Sequence, residues 1–169
     1  ILDEGSGVET PRHPQLHTAT IPPPKEVARA RETMVGSALT LDLLTRLEWR
    51  RFEELAHALF ATQDWKPQRS HVGADGGIDI FLYRSGQGRP GAIVQCKAHH
   101  KPVDVKHVRE FFGVMASENI SEGYFVSRSG YTLPAREFAE GKTLWLWSGE
   151  DLVAKFAGLE TDAQSRIMA

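Results

Sequence analysis

From Trp49 onward apolar residues recur at helical spacing. Trp49, Phe52, Leu55, Ala56 and Leu59 fall on one stripe, with Glu53 on its flank and Glu54 on the opposite, solvent side. Two alternating segments follow. Ile78, Ile80 and Leu82 predict a strand whose other face holds Asp79, and Ala92, Val94 and Cys96 predict a second whose other face holds Gln95 and Lys97. Between them, residues 84–91 (Arg-Ser-Gly-Gln-Gly-Arg-Pro-Gly) have the Gly and Pro content of a hairpin loop, so the two strands are expected to pair antiparallel. Val105, Val108, Phe112 and Met115 then mark a second amphipathic helix. Tyr124-Phe125-Val126 and Leu144-Trp145-Leu146-Trp147 read as buried strands, and Ser148-Gly149-Glu150-Asp151 as a capping box opening a final helix through Leu152, Val153 and Phe156. The alternation of helix and strand predicts an α/β fold.

Chemistry concentrates on the two alternating segments. An antiparallel pair would let Asp79 approach Gln95 and Lys97, giving a carboxylate, an amide and an amine on one side. A hard cation such as Mg²⁺, or Mn²⁺, takes oxygen ligands, and Asp79 with the Gln95 carbonyl oxygen would serve. Lys97 would orient or deprotonate an attacking water, or neutralise charge on a phosphate; spacing does not choose between these roles. Because an amide lends no charge, a second carboxylate gains importance, and Glu53 on its helix flank is the candidate. Taken singly, each residue has a plainer account. Asp79 beside two glycines fits a turn former, Gln95 a half-buried polar residue, Lys97 an edge lysine that discourages strand pairing, and Glu53 the border of a helix stripe. Those accounts leave the shared face of Gln95 and Lys97 unexplained.

Several segments in one order carry a resemblance. They are Trp49-Arg50-Arg51-Phe52-Glu53-Glu54-Leu55, Gly73-Ala74-Asp75-Gly76-Gly77-Ile78-Asp79, Val94-Gln95-Cys96-Lys97, Gly113, Gly123-Tyr124-Phe125-Val126-Ser127, Ala135 and Ala139. Over roughly residues 45 to 158 the chain resembles the Mrr-type restriction endonuclease catalytic domain of the PD-(D/E)xK nuclease superfamily. The resemblance implies a restriction-endonuclease-like, three-layer core of α-β-β-β-α-β order with a mixed sheet of four to five strands flanked by helices, a metal-dependent site in the middle of that sheet, and DNA as substrate. On it, Asp79 is a metal ligand, Gln95 replaces the superfamily's usual glutamate as the Mrr branch does, Lys97 is the motif lysine, and Glu53 is the helix glutamate that follows Phe. Asp75 is expected to shape its loop rather than bind metal.

Charge extends the reading to a partner. Residues 84–109 hold Arg84, Arg89, Lys97, Lys101, Lys106 and Arg109 against one acid, Asp104, and such a strip supplies sequence-independent affinity for double-stranded DNA. Lys101, Lys106 and Arg109 are the expected phosphate contacts. A solvated helix face accounts equally for Lys106 and Arg109. Ser127 and Arg128, with Ser129-Gly130, offer hydroxyls, a guanidinium and backbone amides for a phosphate at a loop, and a plain strand-to-helix turn fits them as well. The net charge of −2 argues against indiscriminate nucleic-acid binding. Cys96 is the only cysteine, which excludes an internal disulfide; its predicted orientation away from the reactive side argues against a nucleophile, and zinc held with His99, His100 and His107 lacks a recognised ligand spacing.

At 169 residues and 41% hydrophobic content the chain supports one core, and no segment is long enough to span a membrane. Residues 1–40, with Pro11, Pro14 and Ile21-Pro22-Pro23-Pro24, are expected to form an extended linker, Lys25 to Met34 contributing a short helix; residues 41–160 form the catalytic domain and 161–169 a tail. A start at Ile1 without a signal or transit segment suggests a fragment of a longer cytoplasmic protein with an additional N-terminal domain. Double-strand cleavage would call for two sites acting together, hence a homodimer. The expectation is a Mg²⁺-dependent DNA endonuclease that restricts foreign or modified DNA. Its rivals are a DNA-binding module of the same fold without turnover, and a repair nuclease or junction resolvase.

Overall fold

The computed structural model describes residues 38–70 and 77–169. The Lys25–Met34 segment and Asp75 lie outside them. Elements in chain order are α1 (Leu41–Arg46), α2 (Trp49–Ala61), β1 (Lys66–Arg69), β2 (Ile80–Tyr83), β3 (Ala92–Lys97), α3 (Val105–Ser117), β4 (Glu122–Ser127), α4 (Leu133–Ala139), β5 (Leu144–Trp147), α5 (Gly149–Ala157) and α6 (Thr161–Met168). From α2 to β4 this is the expected α-β-β-β-α-β order.

The five strands lie in sequence order. β1, β2 and β3 pair antiparallel, so the loop over residues 84–91 is the expected hairpin connection. β3, β4 and β5 pair parallel, with Lys97 opposite Ser127, and α3 and α4 make the crossovers that parallel neighbours require. Two apolar clusters sandwich the sheet. On one face Phe52, Leu55, Ala56, Leu59 and Phe60 of α2 meet Ile80, Leu82, Ala92, Val94, Val126 and Trp147, with Leu152 and Phe156 of α5 closing the layer. On the other, Val108, Phe111 and Met115 of α3 and Ala135 and Ala139 of α4 cover Ile78, Ile93, Phe125 and Leu144. The molecule is a three-layer α/β/α sandwich.

Several expected positions shift once both faces are covered. Ile78 joins the opposite cluster from Ile80 and Leu82, because it precedes the regular strand and escapes its alternation. Trp49 is not in the core: α2 begins beyond the sheet, leaving the ring 53% exposed. In α3 it is Phe111 that is fully buried, while Phe112 packs edge-on against Phe138. β1 has no apolar signature (Lys-Pro-Gln-Arg), which suits a sheet edge where Pro67 need not donate to the ladder. His57 of α2 secures that edge by donating from Nε2 to the Pro67 carbonyl at 3.1 Å. The capping box at Ser148 and Asp151 forms as expected, but α5 is not the last helix. Residues 161–169, expected as a tail, contain α6, whose Ile167 and Met168 pack on the core.

Two loops at the C-terminal ends of β3 and β4 are stitched together. Ser129 Oγ donates to the His99 carbonyl at 2.6 Å, Val103 bridges Tyr131, and the Tyr131 hydroxyl lies 2.6 Å from the Phe125 carbonyl. The first turn of α5 closes on this shelf: a Cβ at Gly149 would come 2.6 Å from the backbone oxygen of Arg128. Backbone cannot retreat as a side-chain tip can, so Gly149→Ala is expected to lower unfolding free energy by ~2 kcal/mol or more. Gly158→Ala, facing only ordinary contacts, is expected to cost far less; equal midpoints in urea for the two variants would refute the clash.

Candidate active site

β3 is fully buried over Ala92, Ile93 and Val94 and opens only at Gln95, Cys96 and Lys97. Polar side chains of β3 can therefore meet solvent only at this end of the strand. Asp79 stands just before β2, its N–H donating to the Val94 carbonyl at 2.9 Å. Its carboxylate turns across the sheet end and accepts from the Cys96 N–H at 2.6 Å. That bond fixes one oxygen by backbone rather than by a mobile side chain.

Glu53 reaches the same place from the second turn of α2, and its carboxyl shares a hydrogen bond with Asp79. Two carboxyls this close disfavour each other's ionisation, so one of them keeps its proton to a higher pH than an isolated acid would. Burial and the Asp79 charge push Glu53 up to about 7, while the Arg69 and Arg50 charges oppose the shift. Asp79 is also raised, by desolvation, with the Cys96 N–H, the Glu53 bond and the Lys97 charge pulling it back. The proton accordingly belongs mainly to Glu53.

The remaining residues are placed as follows. Lys97 ends β3, close enough for its charge to act on Asp79. Gln95 lies under Gly77, which holds φ +96° and whose hypothetical Cβ would sit 2.7 Å from Gln95 Nε2; any side chain there would displace the amide. Gly77 is thus a glycine both for its backbone angle and for the room it leaves Gln95. The donor set suits a hard divalent cation: two carboxylates that resist ionising together, and the amide of Gln95, the residue next to the Cys96 N–H that Asp79 accepts from. Among the described residues no group of three or more His, Cys, Asp or Glu side chains that could hold a metal ion occurs, here or elsewhere, so two carboxylates and an amide are the donors this site offers. Cys96 packs against the α2-side cluster, and its thiol is held well above the usual range by burial and the two acids, so it stays neutral and unreactive.

Ser127 and Arg128 do not serve as phosphate contacts, which corrects that expectation. Ser127 is fully buried and its hydroxyl donates to the Gly130 carbonyl at 3.1 Å. Arg128 is only 8% exposed; its guanidinium donates to the Thr45 carbonyl at 3.1 Å and to that of Leu47, and lies 5.5 Å over the Phe52 ring. It closes the C-terminal end of α1 and sets the entry to α2, immediately before Glu53. Sequence reading missed this role, since nothing in Ser-Arg-Ser-Gly distinguishes a cap for a helix some eighty residues earlier from a phosphate loop. Lys101, Lys106 and Arg109 are exposed, on the β3–α3 loop and the first turns of α3, with Arg109 stacked over Phe138 at 5.4 Å.

Residues 44–156 match the profile of a restriction endonuclease family, the Mrr catalytic domain. The chain is similar to the type IV methyl-directed restriction enzyme EcoKMrr of Escherichia coli (strain K12), 31% identical over 102 residues, which cover 60% of this chain and 34% of that enzyme. The chain therefore spans about a third of the length of this relative. Among solved structures it is similar to the DNA modification-dependent restriction endonuclease AspBHI, with TM-score 0.52 and 17% identity over 78% of this chain and 40% of that one. It is also similar to a protein of unknown function, AF1548, with TM-score 0.51 and 10% identity over 68% and 74% of the respective chains. At these identities the structural likeness speaks for the fold alone.

The shared proton gives a pH signature. Glu53 is raised above its unfolded value, so its contribution to stability is present below about pH 4.5 and lost as pH rises through about 7. Glu53→Gln keeps the hydrogen bond without the charge. It should match the wild type near pH 5 and melt a few degrees higher at pH 8, and a pH-independent difference would disprove the pairing. Arg128→Ala is expected to cost about 2–3 kcal/mol in chemical denaturation, because the Thr45 and Leu47 carbonyls lose a charged donor. Unchanged stability would show that the cap is dispensable.

Proposed function

The chain belongs to the Mrr-type restriction endonuclease family, and on that premise we propose that it hydrolyses DNA phosphodiester bonds with a divalent cation, acting on methylated or otherwise modified duplexes. The observation that supports this most is the Glu53–Asp79 pair: two carboxyls brought into contact beside Lys97, at the one end of β3 open to a substrate. A structural role would be served better by a single acid with a cationic partner. The methyl-directed activity named for the E. coli relative supports the choice of modified DNA.

Asp79 and Glu53, with the Gln95 amide oxygen, would hold Mg²⁺ or Mn²⁺, which would supply Lewis-acid stabilisation of charge on the phosphoryl group and acidify water. Asp79 is the fixed member, anchored by the Cys96 N–H. Glu53, held near 7, would have to lose its proton to serve as a ligand, so the site would be more receptive to a cation as pH rises through about 7. Lys97, whose charge acts on Asp79, would meet a phosphate oxygen or the attacking water, and its charge would offset the negative charge that accumulates during in-line displacement. Lys101, Lys106 and Arg109 would hold the flanking backbone. We take residues 41–160 as the catalytic unit, with residues 1–40 leading to a further domain, a homodimer for double-strand cleavage and a cytoplasmic setting.

Incubating the protein with methylated and unmethylated supercoiled plasmid in Mg²⁺, Mn²⁺ or EDTA tests the reading. Cutting should require metal, favour the methylated plasmid, and fall by about 10²-fold or more in both Asp79→Ala and Lys97→Ala. Binding of DNA without cutting under any metal would instead identify a recognition module.

A further inference from the structure

Trp49 and Arg50 are unused by the site as derived so far. Both belong to the first turn of α2, one turn ahead of Glu53, and Arg128, which donates to the Leu47 carbonyl just before this helix and to the Lys97 carbonyl, ties that helix start to the Lys97 end of the sheet. Trp49 and Glu53 are four residues apart and so share a side of the helix, about 6 Å apart along its axis, the tryptophan nearer solvent. Its ring is 53% exposed, and the Arg50 guanidinium lies 5.9 Å from the ring centroid. None of the ion pairs among the described residues engages Arg50. The Arg50 and Arg69 charges both act on Glu53, so two cations lie near the acid, Arg69 also pairing with Glu54 at 3.5 Å.

We infer that Trp49, with the Arg50 guanidinium near its ring, is the surface that grips the DNA strand on the α2 side of the scissile phosphate, Arg69 adding charge near Glu53. The inference rests on the nuclease reading and adds residues to it. Polyanionic backbone matches the two cations, and a half-exposed indole offers a flat face to an adjoining sugar or unstacked base. With Lys101 and Lys106 on the α3 bank, the site then has positive charge on both sides, so the duplex is held across Lys97 instead of along one edge. A single exposed tryptophan is ordinary on a protein surface. What separates Trp49 from Trp145, 50% exposed on β5, is position: Trp145 pairs with Tyr124, three residues before the Ser127 level at which Lys97 lies.

The experiment uses the full chain and a fluorescein-labelled methylated duplex, with affinity read by anisotropy in EDTA and cutting in Mg²⁺. Trp49→Ala should weaken binding about tenfold and slow cutting at low enzyme, Trp49→Phe should retain most of both, and Arg50→Ala should reduce the slope of log affinity against log salt by about one. Trp145→Ala should change neither affinity nor cutting. In a Trp145→Phe background, Trp49 is the one well-exposed tryptophan, since Trp65 and Trp147 are 7% and 8% exposed, so DNA should shield its fluorescence from acrylamide. Wild-type binding and cutting accompanied by an unaffected Trp49→Ala and unaltered quenching would overturn this inference and leave the nuclease standing. A wild type that neither binds nor cuts would overturn both.

Discussion

Two carboxyl groups close together at a half-buried sheet end resist ionising together, and the site is organised around that conflict. Glu53 and Asp79 arrive from different elements, one on a helix and one before a strand, and neither is placed there by chance packing. Asp79 is held by a backbone donor from β3, which costs the sheet one regular position but fixes an oxygen where β3 opens. Glu53 is fixed by the register of α2, whose buried residues on both sides of it leave the helix no freedom to rotate. A proton resolves the conflict in the isolated protein at low pH. A divalent cation would resolve it more strongly, and that is the physical link between this fold and phosphodiester chemistry.

Much of the remaining structure serves to hold α2 in register. Arg128, buried and without a carboxylate partner among the described residues, spends its guanidinium on the carbonyls at the end of α1 and on the face of Phe52. A cation is tolerated there because those carbonyls have no intrahelical donors and are themselves partly negative. Its backbone ties the same residue to Lys97 through an N–H to the Lys97 carbonyl at 3.1 Å. One residue thus connects the helix that presents Glu53 to the strand that presents Lys97. Across the sheet, Tyr131 and Ser129 bind the two loops beside it, so the rim of the site is built of carbonyls already satisfied.

Where periodicity spoke, the sequence could be read: the stripe through Phe52, Leu55, Ala56 and Leu59, the alternation through β3, the hairpin between β2 and β3 and the capping box at Ser148 all form as their patterns imply. Where a polar segment is structured by its neighbours, it could not. β1 has no apolar residue to announce it and exists because Ile80 to Tyr83 offer it a ladder. Trp49 fits the helical stripe but lies beyond the end of what the stripe covers, a fact about helix placement that spacing cannot express. Gln95 and Lys97 were legible as a pair from alternation. The bend that takes Asp79 toward Glu53 was not, because it occurs outside regular strand, and the contact with Gln95 that makes Gly77 necessary is visible only in three dimensions.

The most direct measurement is the proton balance of cation binding. Titrating the protein with Mn²⁺ by calorimetry, in buffers of different ionisation enthalpy, reads the number of protons released per ion bound. The shared Glu53–Asp79 proton predicts release approaching one proton per ion at pH 6, declining toward none by pH 9 as Glu53 ionises unaided, and abolished in Glu53→Gln. Binding with no proton release at pH 6, or with release unaffected by Glu53→Gln, would show that the two carboxylates are not the cation site and would contradict the account.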